Sequence, residues 1–233
     1  MPVDFKHMNS QNNNEWTSQP LSWDILERAH SIYLEEEPRD AMYRISTKLI
    51  DNYWDSDFEV SNALGVLLLT WNSAFYRYGS LVYDQIEQSI KQNRAKLYGY
   101  RKREIFSLSE SEYDDIKATY NDFLCSLKSV GKKRTRVAEK VSYSPVSVGK
   151  ALHLLCPNFF PLWDNKIAKA YGCQWHSSTI SFQEYWKFIN ISRKQSVELG
   201  EISQKPLSLN DVGELKLIDE YNCIRFTKKR SIF

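Results

Sequence analysis

The sequence predicts an all-α protein, a two-lobed helical bundle of about nine or ten helices. Apolar residues recur at intervals of three and four along most of the chain, which is the spacing of one helix face. Capping signals precede several of these stretches, and no segment shows sustained strand alternation. The 42% of hydrophobic and 14% of aromatic residues are typical of a folded protein with a real core.

Local signals place the helices. Ser22 is the predicted cap of the first helix, and Pro38 separates it from the second. Residues 57–78 are apolar on nearly every face, so we expect one buried helix that Gly79 stops. The later helices are predicted to begin at Tyr83, at the capping box of Ser109 and Glu112, near Gly149, at the capping box of Ser181 and Glu184, and at the segment 211–214. Two short helices are also predicted, one over 137–141 and one over 165–171 behind Asp164.

Three regions are predicted from composition. Residues 1–20 are polar and rich in asparagine, as in a flexible tail. Residues 21–130 would form one helical lobe, and residues 131–233 a second lobe. The boundaries are soft, and one continuous domain stays open.

Composition limits the function classes. The formal charge is only +2, so bulk charge does not require a nucleic-acid partner. The four cysteines lack the spacing of a zinc or iron–sulfur site, and we expect no metal or other cofactor. No apolar run approaches the roughly 18 residues of a membrane span. We therefore expect a reduced, cytoplasmic protein that does not contact membranes.

A basic segment precedes a predicted helix-hairpin-helix motif near residues 135–156. A helix that begins near Gly149 would present free backbone N–H groups, which bind phosphate. The alternative is a solvated charge run followed by an ordinary turn. The candidate DNA-binding residues are Lys132, Lys133, Arg134, Arg136, Ser144, Ser147, Val148, Gly149 and Lys150.

The segment SVGKALHLL, with FPLWDNKIAKAYG after it, resembles the helix-hairpin-helix superfamily of DNA base-excision glycosylases. Members are all-α and two-lobed, with a G-V-G type hairpin that grips the DNA backbone. An apolar–Asp–x–x–[IV] motif follows, whose aspartate is catalytic. Val148 and Gly149 match the hairpin, and Asp164 with Ile167 matches the acid motif. The resemblance implies that Asp164 is the catalytic residue.

The same resemblance bears on strand cleavage. Members that also cleave the DNA strand carry a lysine two residues after the hairpin glycine, where this chain has Ala151. Lys150 lies one residue earlier, which is a rotation of about 100° on a helix. We therefore expect Lys150 to face phosphate, and the enzyme to be monofunctional, while a shifted register that delivers Lys150 to the sugar stays open.

The chemistry of base release agrees with an acid at this position. Cleavage of an N-glycosidic bond develops positive charge on the sugar, which a nearby carboxylate stabilises. The same carboxylate can orient or deprotonate the attacking water. The alternative is that Asp164 caps the helix over 165–171, and both roles can hold at once.

A glycosylase must also extrude its target base and hold it. By resemblance, Asn72 matches the residue that intrudes where the base leaves the stack; the alternative is a buried amide at a helix end. The candidate stacking or pocket residues are Trp71, Trp163, Trp54 and Tyr143, and each has a place in the core as its alternative.

Together these observations predict a monofunctional DNA glycosylase that hydrolyses a modified base from double-stranded DNA and leaves an abasic site. The substrate could be a hypermodified base of phage DNA. We expect a monomer. Two alternatives remain: a non-catalytic helix-hairpin-helix DNA-binding module, and an all-α adaptor between proteins.

Overall fold

A computed structural model describes residues 21–131, 141–175, 181–202 and 204–232. Ten α-helices lie in these ranges, which confirms the all-α prediction and the expected number of helices. In order they are α1 Trp23–Glu36, α2 Ala41–Asn52, α3 Asp57–Trp71, α4 Ser73–Tyr76, α5 Tyr83–Arg101, α6 Tyr113–Ser126, α7 Pro145–Leu155, α8 Asn165–Ala170, α9 Ser181–Ile202 and α10 Glu214–Asn222. A π-helical turn, Cys223–Thr227, continues α10.

Several predicted helix boundaries are confirmed. Ser22 caps α1 by accepting a hydrogen bond from the backbone N–H of Ile25. Ser109 and Glu112 form the predicted capping box, which opens a 3₁₀ turn that runs into α6. Gly172 ends the segment after α8 with a left-handed φ of 68°.

The prediction of one helix over 57–78 is wrong. Helix α3 ends at Trp71, and the single turn α4 follows after Asn72. The Asn72 amide donates hydrogen bonds to the hydroxyl groups of Ser144 and Ser147, which lie on a distant part of the chain. A helix end that is stabilised by such a non-local contact leaves no periodic signal.

A small antiparallel sheet was not predicted. Its strands are β1 Gly79–Ser80, β2 Ser129–Gly131 and β3 Val141–Ser142, in the order β1-β2-β3. Val130 pairs with both Ser80 and Val141. Strands of two or three residues are too short to show alternation. Val141 therefore lies in a strand, and the rest of the predicted helix over 137–141 lies outside the described residues.

Helix α7 begins four residues before the predicted start near Gly149. Ser144 is its N-cap, accepting from the backbone N–H of Ser147 at 3.1 Å, and Pro145 occupies the first helical position. Gly149 lies inside the helix. The sequence Ser-Pro is a sufficient start signal, and the glycine has a packing role that is described below.

One core cluster of buried residues extends from Leu21 to Ile232. Within it the first and last helices, α1 and α10, pack against each other. The C-terminal helix therefore returns to the N-terminal region and closes one side of the candidate site. All four cysteines are free thiols. None of the helices in the described ranges combines the length and apolar character that a bilayer span requires.

Candidate functional site

The Asp164 cavity is a pocket of about 180 Å³ that is bordered by residues of five helices. Asp164 and Lys150 border it from α8 and α7, and Trp71 borders it from α3. Asp219 and Tyr33 line it from α10 and α1. The other lining residues are Glu37, Leu162, Trp163, Ile167, Cys223 and Lys228. Residues far apart in the sequence thus bring two lysines and three acidic residues to a single small cavity.

Asp164 is the N-cap of α8, as the capping alternative predicted. Its Oδ1 accepts hydrogen bonds from the backbone N–H groups of Lys166 at 2.7 Å and Ile167 at 2.8 Å. Its Oδ2 accepts from the hydroxyl of Thr227 at 2.9 Å. The carboxylate is therefore held at both oxygens, and it remains partly exposed to the cavity. Fixed orientation is what a charge-stabilising group requires.

Lys150 is a partly buried residue of α7. Its side chain enters the Asp164 cavity, and its Nζ donates to the carbonyl oxygen of Trp71 at 3.0 Å. Burial lowers the pKa of Lys150, and the negative charges of Asp219 and Asp164 oppose this effect. Helix α7 turns Lys150 towards α3 and α10. The expectation that this side chain faces phosphate stays a prediction.

Asp219 is the site residue that sequence reasoning missed. Burial raises its pKa to about 7, and Asp164 and Glu220 also raise it, while Lys216 and Lys150 lower it. A carboxyl group with this pKa exchanges its proton near neutral pH, which is the property of a general acid or base. Only the packing of α1 against α10 shows that this part of α10 faces inward.

Two of the predicted pocket aromatics border the Asp164 cavity. Trp71 is half-buried, and its ring stacks on Tyr43 with centroids 5.9 Å apart. Trp163 is 1% exposed, and its rings pack against Trp175 at 4.5 Å and Tyr185 at 4.8 Å. The face of Trp163 is thus covered by protein, so the core alternative describes it better than base stacking. Trp71 remains the candidate.

The other three predicted pocket residues lie away from this cavity. Arg94 and Arg101 cover the ring of Trp54 at 5.0 and 4.5 Å, in a contact on the surface of α5. The amide of Asn72 is occupied by its two serine contacts, as its alternative predicted. Tyr143 is 45% exposed and does not line the cavity.

The described part of the predicted phosphate-gripping hairpin forms the start of α7. Ser144, Ser147, Val148 and Gly149 are buried, and the hydroxyl of Ser144 already caps the first turn of α7. One backbone N–H of the helix start is therefore already satisfied by a side chain. Gly149 gives space to the indole of Trp163, whose Nε1 donates to the carbonyl of Pro145 at 3.2 Å. The basic residues Lys132, Lys133, Arg134 and Arg136 lie outside the described residues.

A second pocket, the Lys216 cavity, has a volume of about 540 Å³. Lys216 is 2% exposed, and its Nζ lies 3.0 Å from Oδ2 of Asp40 and 3.3 Å from Oε1 of Glu220. His30 pairs with the other oxygen of Glu220 at 2.6 Å. Burial alone would lower the pKa of Lys216, but Glu220 and the surrounding acids raise it well above its usual value. Lys216 therefore stays charged.

Aromatic side chains near Lys216 line both cavities. Tyr33 and Trp71 line the Asp164 cavity, and Tyr43 lines the Lys216 cavity. The Lys216 ammonium lies 4.3, 4.9 and 5.7 Å from the ring centroids of Tyr33, Tyr43 and Trp71. The charge of Lys216 thus acts on both cavities.

No protein-family model matches the chain, and no curated protein or solved structure matches it significantly. The functional argument therefore rests on the residues and their geometry.

Proposed function

We propose that the chain is a DNA glycosylase whose reaction centre is the Asp164 cavity. The observation that carries the proposal is the convergence of Asp164, Lys150 and Asp219 on one small, half-enclosed space. This set provides a fixed negative charge, a buried amine and a proton-exchanging carboxyl group. The resemblance around Asp164 supports the same reaction class. The enzyme would act as a cytoplasmic monomer on double-stranded DNA that contains a modified base.

In the proposed reaction Asp164 stabilises the positive charge that develops on the deoxyribose as the base departs. A carboxylate about 4 Å from a unit charge contributes roughly 4 kcal/mol at an effective dielectric near 20. Since each 1.36 kcal/mol is about tenfold in rate, this one group could supply on the order of a thousandfold. The bonds from Lys166, Ile167 and Thr227 keep the carboxylate in place while the charge forms.

Asp219 would manage the proton. In its ionised form it can deprotonate the water that attacks the sugar carbon. In its protonated form it can deliver a proton to the departing base. A pKa of about 7 allows either role near neutral pH.

The position of Lys150 favours a second candidate, a glycosylase that also cleaves the strand. Its amine could attack the sugar carbon, displace the base and form a Schiff base, from which the strand breaks by elimination. Only a neutral amine is nucleophilic, and burial lowers the pKa of Lys150 in the required direction. This route requires the amine to leave the carbonyl oxygen of Trp71.

Base release from a panel of modified duplexes, measured by mass spectrometry, tests the proposal. Asp164→Asn should abolish release and leave DNA binding intact. Asp114→Asn is the matched control, because Asp114 is an exposed acid in the first turn of α6. Unchanged release in Asp164→Asn would refute the catalytic role of Asp164. DNA binding by the wild type without base release from any duplex would instead favour the non-catalytic DNA-binding module.

A borohydride trap separates the two glycosylase mechanisms. A covalent adduct with DNA that forms in the wild type and disappears in Lys150→Ala would show the Schiff base. Base release without an adduct would support the monofunctional reaction. The adaptor alternative predicts no DNA binding at any salt concentration, whereas phosphate contacts give an affinity that falls steeply with salt.

A further inference from the structure

The Lys216 cavity has the size of a ligand site. Its volume of about 540 Å³ lies within the roughly 300–1,000 Å³ that is typical of small-molecule sites. Its walls are partly apolar, with Leu34, Tyr43 and Val212 among the lining residues. Charged groups lie at its floor and its mouth. No part of the proposed base-release chemistry uses this space.

The floor holds a hydrogen-bond donor whose contacts are poorly aligned. The Nζ of Lys216 is buried and lies 3.0 Å from Asp40 and 3.3 Å from Glu220 in ion pairs that lack good hydrogen-bond geometry, and the hydroxyl of Tyr33 also interacts with it. An ammonium group carries three N–H donors, and burying them without acceptors is costly. An oxygen atom of a ligand would satisfy one of them.

The same floor offers acceptors close to this donor. Glu220 is 2% exposed, and Asp40 lies beside it across the Lys216 ammonium. The backbone of Asp40 adopts a left-handed φ of 38°, which is uncommon outside glycine. In this conformation its carboxylate accepts from the hydroxyl of Tyr33 and faces Lys216, and it does not cap α2. The donor and acceptors are therefore held as one array.

The exposed lining residues include Asp211 and two arginines. Arg39 and Arg44 are the two arginines, and neither forms an ion pair with another residue of the described ranges. They suit an anionic group such as a phosphate.

We propose that the Lys216 cavity binds a nucleotide whose base carries an oxo oxygen and an amino group on the same edge, as guanine and cytosine do. The oxo oxygen accepts from Lys216, and the amino group donates to Glu220 or Asp40, which are pairings that lysine and acidic side chains make with base edges. The phosphate lies at Arg39 and Arg44. Binding of a free nucleotide does not depend on the proposed function. Only a role of the Lys216 cavity in holding a base of DNA rests on the proposed function.

Calorimetric titration of the full chain tests this inference with five probes. The 5′-monophosphates of guanosine and cytidine should bind. Guanosine without its phosphate should bind about tenfold more weakly, since it loses the charge-assisted contacts. The 5′-monophosphates of adenosine, which lacks the oxo group, and thymidine, which lacks the amino group, should also bind at least about tenfold more weakly.

A cavity-filling variant locates the site without disturbing the buried charges. Thr47 lines the cavity, and its hydroxyl bonds only to backbone oxygens of α2. Thr47→Trp should weaken binding of guanosine 5′-monophosphate at least about tenfold. Thr70→Trp is the matched control, because Thr70 is exposed on α3 and lines neither cavity.

The outcomes separate this inference from the proposed function. Equal binding of all five probes, binding of none, or unchanged binding in Thr47→Trp would overturn the inference. The titration is repeated with Asp164→Asn, where nucleotide binding should persist. If nucleotides bind but no duplex releases a base, only the proposed function fails. If bases are released but no nucleotide binds, only this inference fails.

Discussion

The indole of Trp163 occupies the space that a side chain on Gly149 would need. A Cβ at Gly149 would lie 2.6 Å from Cδ1 and 2.7 Å from Nε1 of Trp163. Gly149→Ala should therefore destabilise the protein by about 1–3 kcal/mol, the usual cost of overpacking. Gly99→Ala is the control, since a Cβ there meets nothing within 4 Å and should stabilise α5 by up to about 1 kcal/mol. Urea unfolding measures both, and equal stability of the two variants would contradict the packing role.

The cap made by Asp164 can be separated from its proposed charge effect. Asp164→Ala removes the acceptor for two backbone N–H groups and should cost about 0.5–2 kcal/mol of stability. Asp164→Asn should stay close to the wild type, because asparagine caps as well as aspartate does. Thermal and urea unfolding check this difference. If Asp164→Asn unfolds as easily as Asp164→Ala, a loss of base release in Asp164→Asn could result from lost stability and would not by itself show a catalytic role.

The raised pKa of Asp219 predicts a stability change with pH. The folded protein holds this proton up to about pH 7, whereas an ordinary aspartate releases it near 3.8. The contribution to stability is therefore fully present below about pH 4 and is lost as pH rises through 7. Asp219→Asn should flatten the plot of the free energy of unfolding against pH between these two pH values. Urea unfolding of both proteins at pH 5, 6, 7 and 8 gives the difference, and parallel curves would refute the shift.

Removal of the Lys216 charge should be strongly destabilising. Lys216→Met would leave the carboxylates of Asp40 and Glu220 without their cation, and breaking such a buried pair costs about 3–5 kcal/mol. Lys169→Met is the control, because Lys169 is exposed on α8. Unfolding in urea compares the two. A loss below about 1 kcal/mol in Lys216→Met, the range of surface pairs, would show that these charges are not effectively buried.

Much of the fold was predictable because helices are local structures. Ser22, the pair of Ser109 and Glu112, and Asp164 are start signals whose effect is complete within one turn. The errors occurred where distant segments meet. The three short strands pair across the chain, and α3 ends at Asn72, whose side chain contacts the serines of α7. Neither contact is encoded in periodicity.

The candidate site was predictable in part. The sequence selected Asp164, Lys150 and Trp71, and the structure places these three at one cavity. It missed Asp219 of this cavity and Lys216 of the neighbouring one, because charged positions on an amphipathic helix normally face solvent. Because α1 packs against α10, these charged positions of α10 lie against protein.

The sequence by itself determined that the chain is helical, where most helices begin, and that Asp164 stands at a helix start. Only the tertiary structure decided which side chains face Asp164 and how they are charged. The physical reason is the sequence separation over which each kind of interaction acts. Capping and periodicity act over three or four residues, whereas burial and Coulomb interaction depend on every group nearby, wherever it lies in the chain.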